Sequence, residues 1–122
     1  MIYVMRTEIL LSYAKEVKIM EVYVLYLEMY HEWACENGAC DLIGVYSSKE
    51  KVLDRLKELL HGEQDNGYII GIYDKTIDDY INGIKENGDI SSPVYIDIYQ
   101  NLENYKNGVE NGCYVIRKEK VK

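Results

Sequence analysis

Four short apolar runs recur along the chain: Val22-Tyr23-Val24-Leu25-Tyr26, Leu42-Ile43-Gly44-Val45-Tyr46, Ile69-Ile70-Gly71-Ile72-Tyr73 and Tyr95-Ile96-Asp97-Ile98-Tyr99. Each is β-branched and aromatic and only a few residues long, which predicts strands with much of both faces covered. A fifth strand is expected from Cys113 to Arg117. The intervening segments change period. After Tyr46, Val52, Leu53, Leu56, Leu59 and Leu60 fall on one helical stripe, with Ser47 and Glu50 spaced as a capping box and Gly62 placed to end the helix. After Tyr73, Thr76 and Asp79 offer a cap for a helix carrying Ile77, Tyr80, Ile81 and Ile84. After Tyr99, Leu102, Tyr105 and Val109 predict a shorter third helix.

Six Asn-Gly pairs punctuate these segments, at Asn37, Asn66, Asn82, Asn87, Asn107 and Asn111. Asn-Gly accepts positive φ, so the pairs are expected at turns or helix C-caps. The stretches from Ile77 to Ile84 and from Leu102 to Val109 align with their Asn-Gly pairs in step, which reads as a degenerate strand–helix repeat. The N-terminal stretch Thr7 to Lys18 places Leu10, Tyr13, Ala14 and Val17 on one face and reads as a helix, with residues 1–19 a loosely attached extension. The expected architecture is one α+β domain over residues 1–122, with a mixed, largely antiparallel sheet of about five strands and helices mainly on one face. The first two strands are expected as a hairpin, and the crossovers after Tyr46 and Tyr73 are long enough for parallel connections.

The segment from Val22 to Tyr26, a polar loop, and then Leu42-Ile43-Gly44-Val45-Tyr46-Ser47-Ser48-Lys49-Glu50-Lys51 resembles a small uncharacterised domain of low-GC bacteria and their phages. The resemblance covers roughly residues 21–61. It implies a hairpin leading through a Gly-Val-Tyr-Ser-Ser corner into an amphipathic helix, and it names no catalytic group.

Charge adds the first functional constraint. The formal net charge is −7, and from Ile19 to Ser48 there are five carboxylates (Glu21, Glu28, Glu32, Glu36, Asp41) and no Lys or Arg. A second cation-free window from Glu86 to Tyr105 holds Glu86, Asp89, Asp97 and Glu103. Residues 118–122 read as a basic, charged tail. So acidic a body repels phosphate backbones and suits a basic protein partner, including the groove of a nucleic-acid-handling effector. In this general character the chain is similar to phage-encoded inhibitors of bacterial defence, anti-CRISPR proteins among them. Such a partner would meet Glu28, Tyr30, Glu32, Asp78, Asp79, Tyr95, Asp97 and Tyr99, carboxylates standing in for phosphates beside rigid tyrosines. A homodimer is compatible with the same surface.

Candidate chemistry is sparse. His31, Cys35, Cys40 and Cys113 are the residues of zinc-ligand type, in a spacing that matches no standard finger. Three cysteines without a secretory signal point to free thiols in a reducing cytoplasm. Charged residues interrupt the apolar N-terminus, which excludes a membrane span there. No catalytic motif or cofactor loop is present, so no cofactor is expected. The alternative reading is a small-molecule domain that sequesters or senses a nucleotide-like signal, its pocket between sheet and helices lined by Tyr99 and Asp97.

Overall fold

A computed structural model describes residues 21–29 and 40–120. The expected N-terminal helix, the extension at 1–19 and the first Asn-Gly pair lie outside the described residues. The described chain runs β1 (Glu21–Met29), β2 (Cys40–Tyr46), α1 (Lys49–Asp65), β3 (Ile69–Ile70), α2 (Ile77–Glu86), β4 (Val94–Tyr99), α3 (Leu102–Lys106) and β5 (Gly112–Lys120). It is an α+β fold with a five-stranded open sheet in the order β2-β1-β5-β4-β3.

Every pairing in the sheet is antiparallel. The long crossovers therefore make no parallel unit. The connection through α1 joins β2 at one edge to β3 at the other, and those through α2 and α3 return to antiparallel neighbours. The last strand fills the gap between β1 and β4. That central place explains why Cys113, Tyr114, Val115 and Ile116 are all buried.

Helix ends follow from local chemistry. The Ser48 hydroxyl, not that of Ser47, caps α1 by accepting the Lys51 N–H at 3.2 Å. Gly62 lies inside α1, which continues to Asp65 and stops at Asn66-Gly67. There Gly67, at φ +92, donates to Gln64 O and Tyr68 donates to Glu63 O, the paired bonds of a Schellman ending. Asn107-Gly108 closes α3 in the same way. Thr76 caps α2 through the Asp79 N–H, as the spacing predicts. Asn82-Gly83, however, sits within α2 while its aligned counterpart Asn107-Gly108 ends α3, so the two stretches adopt different structures at the aligned pair.

The core lies between the sheet and helices α1 and α2. Leu53, Leu56 and Leu60 from α1 and Ile77 and Ile81 from α2 pack with Leu25, Ile96, Ile98, Tyr114 and Ile116 from the sheet. Lys49 ties the two helices together: its ammonium donates to the carbonyls of Ile84 (3.0 Å), Lys85 (2.9 Å) and Gly88 at the C-terminal end of α2. Ile84 O also accepts the N–H of the cap residue Asn87 at 3.3 Å, and the cation adds a charged donor at the negative end of the dipole.

Candidate sheet-face interface

Strand alternation divides the sheet into two faces. Leu25, Ile96, Ile98, Tyr114 and Ile116 point toward α1 and α2, so Val24, Tyr26, Glu28, Tyr95, Asp97, Tyr99, Cys113, Val115 and Arg117 occupy the opposite face. Register aligns them in rows across the strands. Tyr26, Val115 and Tyr95 form one row; Glu28, Cys113 and Asp97 form the next. A register shift between Leu25 and Tyr26 brings Leu42 opposite Tyr26 and Cys40 opposite Glu28, extending both rows onto β2.

The chemistry of this face is mixed. Val115 is fully buried, while Tyr95 (54 %), Val45 (55 %) and Leu42 (65 %) are exposed. Arg117 Nε donates to the Tyr26 hydroxyl at 2.9 Å, holding that ring in place. Asp97 stands mid-strand between Tyr95 and Tyr99, as the alternation requires. Tyr99 is buried, its ring edge-on to Tyr105 of α3 with centroids 5.0 Å apart, so it frames the surface rather than offering a free contact. Close packing also dictates Gly71, whose N–H donates to Asp97 O at 2.8 Å; a Cβ there would stand 3.1 Å from that oxygen and from the Tyr99 ring.

Two of the expected contact residues lie elsewhere. Asp78 and Asp79 occupy the first turn of α2, on the helical side of the sheet. The Asp78 carboxylate is 2.8 Å from His61 Nε2 and 3.8 Å from Lys57 Nζ, and the His61 bond holds it below the usual carboxylate range. His61 thereby links α1 to α2. Tyr30 and Glu32 lie outside the described residues. The expected acidic surface is thus divided between two faces, with Glu28, Tyr95 and Asp97 together and Asp78 with Asp79 apart.

The basic tail is not separate either. Strand β5 continues to Lys120, and Lys118 donates to Asp89 and lies 3.2 Å from Glu21. Asp89 also accepts from the Tyr23 hydroxyl (2.8 Å) and the Ile90 N–H (2.8 Å). Those bonds, the one from Lys118 foremost, lower its pKa to about 2.

Of the candidate metal ligands, His31 and Cys35 lie outside the described residues. Cys40 and Cys113 are on β2 and β5 with β1 between them, about 10 Å apart at normal strand spacing, too far to share an ion. No group of three His, Cys, Asp or Glu among the described residues is placed to hold a metal. Burial, with Asp97 beside it, pushes the Cys113 thiol up to about 12; burial, with Glu28 and Asp41 nearby, raises that of Cys40. Both shifts are opposite to those of a nucleophilic cysteine. Nor do Asp97 and Tyr99 line a pocket beneath the helices, since they face away from α1 and α2.

The edge contribution of Leu42 and Val45 is the feature sequence reasoning missed. Read as a strand covered on both sides, the run from Leu42 to Tyr46 gave no sign that it forms an edge. Among the described residues no helix is long and apolar enough to cross a membrane. Comparison with protein-family models, with curated proteins and with solved structures finds no match.

Proposed function

We propose that the chain is a non-enzymatic binding protein that presents the sheet face opposite α1 and α2 to a basic surface of a protein partner. The observation that carries this reading is the row of Leu42, Tyr26, Val115 and Tyr95 beside Glu28 and Asp97. Its exposed members Leu42 and Tyr95 set apolar and aromatic area beside the carboxylates, and Arg117 is the one cation among the described strand residues of this face. The negative net charge directs such a surface toward a cationic partner. A basic groove that handles nucleic acid is the partner class that fits, and occupation of it would make the chain an inhibitor of the phage type, acting against CRISPR or another defence system in the cytoplasm. The raised pKa values of Cys40 and Cys113 support binding over thiol catalysis.

The test is site-specific photo-crosslinking in the host, with the crosslinker at position 95 or, as a control, at Glu58 on the exposed side of α1. The expected result is a protein captured through position 95, at a site rich in Lys or Arg, and lost as salt rises from ~0.05 to 0.5 M. Capture through position 58 alone, or salt-insensitive capture, would overturn the proposal.

A further inference from the structure

We infer that a hollow beside Tyr73, at the β3 edge of the sheet, binds a small planar ring carrying an anionic group, a ligand of mononucleotide size. Between β3 and α2 the chain makes a tight turn in which Lys75 N–H donates to Ile72 O at 3.3 Å. Tyr73 takes the second position of that turn with φ +61, among the described residues the one non-glycine with positive φ. Gly, Asn or Asp suits such a position, and a bulky aromatic is strained there. The ring buries little surface in return, since Tyr73 is 87 % exposed. Strain held at a residue whose side chain is almost wholly exposed points to a ring kept for an external contact.

What surrounds that ring defines the ligand. A hollow of about 370 Å³ adjoins it, and its lining includes the apolar Ile69 and Ile72, the aromatic Tyr68 and the polar Gln64 and Lys75. The volume is at the low end of the range for small-molecule sites, which favours a single ring system with a short substituent over a peptide or dinucleotide. The exposed ring of Tyr73 suits stacking on a planar heterocycle. The Lys75 ammonium has no carboxylate partner among the described residues, and Asp74, its neighbour in sequence, is not part of the lining. One unpaired cation at the rim matches one anionic group.

Calorimetric titration of the full chain with the four nucleoside 5′-monophosphates, the corresponding nucleosides and inorganic phosphate tests the assignment. The expected result is binding of at least one monophosphate with Kd below ~1 mM, roughly tenfold tighter than its nucleoside or phosphate alone. Tyr73→Gly is expected to raise the melting temperature by relieving the turn, and both it and Lys75→Gln to weaken binding roughly tenfold. Absence of binding by every monophosphate would overturn the assignment, and so would binding that survives both substitutions. Because Tyr73→Gly is expected to be the more stable protein, loss of binding in it is not loss of the fold.

Discussion

Asp89 illustrates how a single side chain joins distant parts of the chain, accepting from Tyr23 on β1, Lys118 on β5 and its neighbour Ile90. Its folded pKa of about 2 lies below the ordinary carboxylate value near 3.9. The stabilisation it gives is complete above about pH 4 and is lost as pH falls toward 2. Denaturant titrations at pH 5, 4, 3 and 2 should show stability falling with acid, and Asp89→Asn should flatten that fall. Tyr23, Tyr80, Tyr99 and Tyr114 shift the other way, burial being the leading cause in each. A folded pKa raised above 10 gives stability that is full below pH 10 and declines as pH rises further. Absorbance of the phenolate should therefore show a class of rings that ionises only as the fold is lost. The abundance of tyrosine was legible in the composition; which rings would be buried was not, because that depends on which strand face meets the helices. The strain at Tyr73 was equally hidden, since the run Ile69-Ile70-Gly71-Ile72-Tyr73 has a strand's composition, whereas β3 ends at Ile70 and the chain turns from Ile72.

At the scale of elements, helices were the more legible part. Their stripes and caps are local, and Thr76 and the Asn-Gly endings act where their chemistry predicts. The error at Gly62 has a simple cause: glycine tolerates a helical interior, and α1 stops only where Gly67 supplies a left-handed residue. Two substitutions separate these roles. Gly62→Ala, with nothing within 4 Å of the added carbon, should stabilise the protein by about 0.5–1 kcal/mol. Gly67→Ala forces a side chain into φ +92 and should destabilise by about 1 kcal/mol. Chemical denaturation measures both. Lys49→Met removes the cation from the end of α2 and should cost about 1 kcal/mol, with amide exchange rising first in the last turn of that helix. Strand order was not legible, because pairing is a long-range choice. Nothing local distinguishes the edge strand β2 from the central strand β5, although the five-stranded α+β class follows from the count and length of the runs.

For the whole molecule, sequence separation proved a poor guide to charge. Among the described residues the two acidic windows meet at two separate places rather than in one patch: Glu21 and Asp89 are both bound to Lys118, while Glu28 and Asp97 share a row on the far face of the sheet. The binding surface proposed above is consequently smaller than the net charge implies and more aromatic. Glu28, Tyr95 and Asp97 were within reach of sequence reasoning, because alternation along a strand places such residues on one side. Leu42 and Val45 were not, because their exposure follows from β2 being an edge. The most direct measurement of the central claim is the affinity of the crosslinked partner, once purified, for the wild-type chain and for a Tyr95→Ser, Asp97→Asn double variant. The account predicts a loss of roughly tenfold or more for the double variant, with a shallower dependence on salt. Equal affinity and equal salt dependence for the two proteins would contradict it.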